Sequence, residues 1–182
     1  NHEQQSKLLV EHGFFESLTV YLYFLCLIFI FLIWPWKKIF SKWYFSALII
    51  FFALRELDYD IAYFTHGLLK SRQYFSDLVS APEFILSMVM LIFIGIVLFS
   101  ITLKERKNFL AGIKTYNQSQ LAILASIILV VITKTIDGAE RKFGIDLPDS
   151  LERLALIIEE VGELGIPVMF AVAIISKNSK NA

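Results

Sequence analysis

Residues 17–36 and 84–103 are two runs of 20 residues without a single Asp, Glu, Lys or Arg. A bilayer hydrocarbon core about 30 Å thick is crossed by about 20 helical residues. Each run is therefore a spanning helix on its own. The first ends in Trp34-Pro35-Trp36-Lys37-Lys38, an interfacial aromatic anchor followed by basic residues. A cleavable signal peptide would carry a shorter apolar region and a small-residue cleavage site. The chain begins at Asn1 without an initiator methionine, so further residues upstream are expected.

Composition agrees with these two runs. The chain is 57% hydrophobic and 19% charged, against about 45–50% and about 25% in soluble domains. Disorder is excluded, and so is a disulfide scaffold, because Cys26 stands alone. Seventeen basic and 17 acidic residues cancel, which argues against a broad nucleic-acid surface.

Three further segments need their charged neighbours to reach spanning length. Residues 43–54 are apolar for 12 positions, and 121–133 and 164–176 for 13 each. With the extensions 55–64, 134–137 and 151–163 they become helices over about 43–65, 118–137 and 150–176. The expected architecture is all-α, a polytopic membrane bundle of about five helices at 17–36, 43–65, 83–103, 118–137 and 150–176. A segment 1–16 precedes it and a tail 177–182 follows. Pro82 suits a first helical turn, Gly138 a helix end, and Asp149-Ser150-Leu151-Glu152 a capping box.

With five crossings, one side holds nine basic residues: Lys37, Lys38 and Lys42, then Lys104, Arg106, Lys107 and Lys114, then Lys177 and Lys180. The other holds five: Lys7, Lys70, Arg72, Arg141 and Lys142. The positive-inside rule gives an outside N-terminus and a cytoplasmic C-terminus. All three partly charged helices then place their charged parts in the outer half of the bilayer. Arg55 lies roughly 18 Å from the inner end of its helix, and Glu163 a similar distance from the outer end of its own.

Each intramembrane charge costs roughly 2.5–3.5 kcal/mol on insertion scales, so it must be paired, hydrated or protonated inside the bundle. The candidate network is Arg55, Glu56, Asp58, Asp60, Lys134, Asp137, Glu159, Glu160 and Glu163. Helical spacing at 100° per residue aligns Glu152, Glu159 and Glu163, and separately Arg153 and Glu160. It also aligns Arg55, Tyr59 and His66, and puts Lys134 and Asp137 on one face. Arg55 and Lys134 are the natural counter-ions. With Glu140, Glu152, Arg141 and Arg153 counted, the outer region has nine carboxylates against four basic groups. Either some carboxylates are protonated or they attract a cation, and an anionic phosphate site would be of the wrong sign. Pro167 cannot donate to the Glu163 carbonyl, and Gly162 and Gly165 allow a second backbone to approach.

These features leave several functions open. Glu159, Glu160 and Glu163 at helical spacing could offer oxygens to a hard cation. The Glu-x-x-His motif of di-metal bundles is missing, and His66 is the only nearby histidine. No Gly-x-Ser-x-Gly elbow or His-Glu-x-x-His motif supports hydrolysis, and Cys26 sits in apolar surroundings that keep a thiol inert. No motif calls for a cofactor. A membrane sensor, scaffold or partner-binding subunit is the first expectation. Proton or cation movement is the second, and an intramembrane enzyme using paired carboxylates the third. The expected partners are the lipid bilayer and either further copies of the chain or another protein subunit, with no nucleic acid.

Arg55-Glu56-Leu57-Asp58, Gly67-Leu68-Leu69-Lys70, Lys134-Thr135-Ile136-Asp137-Gly138 and Glu159-Glu160-Val161-Gly162-Glu163-Leu164-Gly165 together resemble a group of bacterial multi-pass inner-membrane proteins. The resemblance covers roughly residues 43–176. It implies a bacterial inner membrane and brings no activity with it. A stress or antiphage system is one candidate setting, which no residue identifies.

Overall fold

A computed structural model describes residues 14–137 and 149–176. The expected cap at Gly138 and the tail 177–182 lie outside the described residues, as do the side chains of Asp137 and of residues 149–153. The described residues form helices α1 (Phe14–Ile33), α2 (Trp36–Ser41), α3 (Trp43–Glu56), α4 (Tyr59–Tyr63), α5 (Arg72–Phe75), α6 (Ala81–Lys114), α7 (Gln118–Asp137) and α8 (Asp149–Ser176). Three of them, α1, α6 and the Gln118–Ile136 part of α7, are long and apolar enough to cross a membrane.

Five helices close into a circle. α8 packs on α7 and on α1, α1 on α3, α3 on α6, and α6 back on α7. Residue pairs give the directions. Ser119 at the start of α7 donates to the Ala173 carbonyl near the end of α8, so these two are antiparallel. The Cys26 thiol donates to the Pro167 carbonyl, and Ile30 shares its apolar cluster with Ile174, so α1 runs parallel to α8.

The inner face of α1 is already marked in its sequence. Thr19, Tyr23, Cys26 and Ile30 are buried and recur every three or four positions, while Tyr21, Phe24, Ile28 and Leu32 are exposed. Ridge matching explains the tight α7–α8 contact. A Cβ on Gly162 would stand 2.5 Å from Thr133 Cγ2, and one on Gly165 would stand 2.9 Å from Leu129 Cδ1. These two glycines let the helices approach, as expected from the sequence.

Three expected boundaries change. The first helix stops at Ile33 rather than 36, because Pro35 has no N–H and disfavours helical geometry at Trp34. Pro35 then caps the short α2. The third expected span, 83–103, continues to Lys114, because nothing between Leu103 and Lys114 breaks a helix. It stops where Tyr116 takes φ +52° and the Asn117 N–H returns to the Gly112 carbonyl at 2.8 Å.

The largest difference is at 43–65. The helix ends at Glu56, and Asp58 adopts a left-handed φ of +50° before α4 begins. Asp is among the few residues that visit this region at modest cost. α3 is therefore 14 residues long, about 21 Å at 1.5 Å per residue. The expected alignment of Arg55, Tyr59 and His66 along one helix does not form.

Beyond α4 the chain folds into a clasp over the start of α6. Glu83 accepts from the Thr65 N–H at 2.6 Å, the Thr65 hydroxyl at 3.0 Å and the Gln73 amide at 2.8 Å. Gln73 is fully buried and accepts from the His66 N–H at 2.9 Å. Tyr74 closes the turn by donating to the Leu68 carbonyl at 2.7 Å.

Candidate functional site

The fold brings four of the candidate charged residues together from three helices. Arg55 stands one residue before the end of α3 and donates through Nη2 to Glu163 Oε1 on α8. The same Oε1 lies 3.4 Å from the Lys134 Nζ of α7. Glu56 Oε1 is 3.5 Å from Arg55 Nη2. One carboxylate oxygen thus serves cations from two other helices. The side chain of Glu56 is 4% exposed, that of Glu163 14%, that of Arg55 31% and that of Lys134 39%, so the cluster is most enclosed at its two carboxylates.

Local sequence explains the meeting. Glu163 lies between Gly162 and Gly165, the two residues that bring α7 against α8. Close backbone approach carries the Lys134 side chain, one residue beyond Thr133, within reach of the carboxylate. The break after Glu56 ends α3 at the same level. Its last turn then projects Arg55 and Glu56 into the circle rather than continuing past it.

The other candidates lie around this cluster. Glu159 and Glu160 are half-buried on the preceding turn of α8. Asp58 sits partly buried at the left-handed junction. Asp60 lines a groove together with Arg55 and Lys134, and its Oδ2 is 3.4 Å from where a Cβ on Gly67 would stand. Asp137 ends α7, with its side chain outside the described residues. His66 belongs to the clasp. Among the described residues, no group of three His, Cys, Asp or Glu is arranged to hold a metal ion.

Two groups near the cluster escape the sequence reading. Tyr23 of α1 is fully buried, stacked on Phe52 with ring centroids 5.8 Å apart, and lies within electrostatic range of Arg55, Glu56 and Glu163. Among the described residues, neither its hydroxyl nor Glu56 Oε1 has a hydrogen-bond partner. Glu16, in the first turn of α1, acts electrostatically on Glu56 and Glu160. The available signal was the Thr19–Tyr23–Cys26 stripe, the polar-capable side of an otherwise Phe- and Leu-rich helix.

A second ionic cluster lies at the opposite end of α3. Glu105 of α6 is buried, pairs with Lys42 and accepts from the Tyr44 hydroxyl at 2.7 Å. Lys104 lies over the Tyr44 ring at 5.3 Å. The basic stretch 104–116 reads in sequence as a charged connection. Here it supplies a helix-to-helix fastening.

No protein-family model, curated protein or solved structure matches this chain.

Proposed function

We propose that the chain is an integral membrane sensor, scaffold or partner-binding subunit of a bacterial inner membrane. In this reading it has five crossings, an outside N-terminus and a cytoplasmic C-terminus. It acts with further copies of itself or with another protein subunit. The shared Glu163 oxygen, held by Arg55 of α3 and Lys134 of α7, carries the reading. Such a carboxylate couples the positions of three helices. Neutralising or displacing it releases two cations at once, so a change outside the membrane becomes a change in helix packing. α3 is short for a crossing, but it packs between α1 and α6. Neighbouring helices can cover the shortfall.

Spin labels at the exposed positions Ile50 of α3 and Leu156 of α8 test this in liposomes. The expected result is an interhelical distance that changes between acid and neutral external buffer, and stops changing in Glu163→Gln. An unchanged distance in the wild type overturns the sensor reading. Proton or cation movement is the second reading, supported by the buried Tyr23 hydroxyl and Glu56 Oε1, neither of which is hydrogen-bonded among the described residues. Ion flux in proteoliposomes that is lost in Glu163→Gln would favour it over the first.

A further inference from the structure

The clasp and the turn that follows it have two faces. Leu68 is buried, Gln73 is fully buried on Glu83, and the half-buried Tyr74 donates to the Leu68 carbonyl. Leu69, Phe75 and Leu78 face the other way and are 71%, 88% and 78% exposed. Neighbours in sequence therefore part: Leu68 inward and Leu69 outward, Tyr74 inward and Phe75 outward. The hydrogen bonds to Glu83 hold this arrangement, so the outward side chains cannot turn in without breaking them. Large apolar side chains presented together over a short segment mark a surface with an apolar partner.

Depth identifies that partner. Glu83 is the last charged residue before the charge-free run 84–103. That run rises about 30 Å as a helix, the thickness of the hydrocarbon core. Glu83 thus stands at one boundary of the hydrocarbon, and the clasp bonded to it stands there too. The length of α3 leads to the same level by a separate route. α3 starts beside Glu105, just past the other end of the run, through Lys42 and Tyr44. Its 14 residues rise about 21 Å, so it stops roughly 9 Å short of the far boundary. α4 and the clasp occupy that shortfall.

The surroundings suit lipid. Tyr63 and Leu69 line one groove with Leu86 and Met90 of α6. The apolar surface of the clasp therefore continues into the exposed face of α6, where Ile85, Leu86 and Val89 point outward. Tyr59 and Tyr63 are exposed and stacked with centroids 5.4 Å apart, and aromatic rings of this kind collect at the membrane–water boundary. Lys70 and Arg72 are exposed beside them, on stems long enough to reach the headgroups.

We propose that residues 59–78 form an interfacial collar that docks on the lipid bilayer where α6 begins, with Leu69, Phe75 and Leu78 inserted at the boundary between headgroups and hydrocarbon. The collar, rather than a longer α3, completes this side of the crossing. The inference rests on membrane embedding alone. It is independent of helix movement, of the number of crossings and of their orientation.

The test places nitroxide labels on single cysteines at Phe75, Leu78, Asp77 and Val89, with Cys26 replaced by Ala, in the full chain in phosphatidylcholine liposomes. Helical circular dichroism and size-exclusion profile in detergent check that each variant is folded. Power saturation then compares collisions with oxygen, which concentrates in hydrocarbon, and with a water-soluble nickel chelate. Labels at Phe75 and Leu78 are expected to favour oxygen several-fold, at a depth of about 5–10 Å below the phosphates. The label at Asp77, an exposed polar position between them, should favour nickel. Nickel access at Phe75 and Leu78 equal to that at Asp77 overturns the collar. Few collisions with either reagent at Phe75 or Leu78 also overturns it, since a protein partner or a second copy then covers the surface. Val89, on the exposed face of α6, separates the two levels of failure. Oxygen preference there with a nickel-accessible collar removes this inference alone, whereas nickel access there removes the membrane reading as well.

Discussion

Glu163 accepts from Arg55 and approaches Lys134 through a single oxygen, so its partners are interdependent. Removing Arg55 leaves Glu56 and Glu163 with much of their burial and less of their compensation. Breaking a buried pair from one side costs about 3–5 kcal/mol. Because Arg55 is 31% exposed, Arg55→Ala is expected at the lower end, about 3 kcal/mol, seen as a lower thermal midpoint in detergent. Arg55→Lys should recover part of it, since the charge remains and the fork does not. A midpoint unchanged in Arg55→Ala would remove the ion pair from any account of this fold. The glycines beside the carboxylate act through space rather than charge. Gly162→Leu must push α7 and α8 apart at Thr133 and should destabilise by about 1–3 kcal/mol. A Cβ at Gly95 meets nothing within 4 Å, so Gly95→Ala should be neutral or mildly stabilising by the same assay.

Among the elements, α3 is fastened at both ends by charge and interrupted between them by neither Gly nor Pro. Its lower end is held through Glu105, whose carboxylate joins Lys42 and Tyr44. Tyr44→Phe removes one donor from a buried acceptor and should cost about 1 kcal/mol, measured as a shift in the denaturation midpoint. Its upper end turns at Asp58 in a left-handed conformation. A β-branched residue there is strained, whereas Gly is at ease. Asp58→Gly is therefore expected to be tolerated and Asp58→Val to destabilise by about 1–2 kcal/mol, with the same midpoint as the readout. The clasp of residues 65–74 hangs on Glu83. Glu83→Ala should raise hydrogen exchange and proteolysis in that segment while the bundle keeps its midpoint. A matching drop across all helices would show the clasp to be part of the core instead.

At the scale of the whole molecule, burial is concentrated inside the circle and large apolar side chains face outward. On α6 alone Ile85, Val89, Ile92, Ile96, Phe99 and Leu103 are exposed, in a chain with three helices able to cross a membrane. Lipid is the solvent that such a surface suits. The ion-pair cluster and the Lys42–Glu105 fastening sit at opposite ends of α3. Single cysteines at Asp77 and Ser41, with Cys26 replaced by Ala, should then react with an impermeant reagent from opposite faces of intact membranes. Labelling of both from one face would overturn the five-crossing topology.

Hydrophobic run length and charge placement were legible without coordinates, because both are local properties that a bilayer reads directly. They determined the helical class, the helices at 118–137 and 150–176, the close approach at Gly162 and Gly165, and a set of charges that had to be reconciled inside the bundle. The partner of each charge was not legible. Which carboxylate meets Arg55 depends on the break at Asp58 and on the neighbours of α3 in the circle, and these are set by packing among segments up to 141 positions apart. Glu83 and Glu105 owe their roles to contacts that no periodicity encodes, and for Tyr23 periodicity marks the face but not what it meets. Periodicity assigns a residue to a face of its own helix, and only the closed arrangement of five helices decides what that face meets.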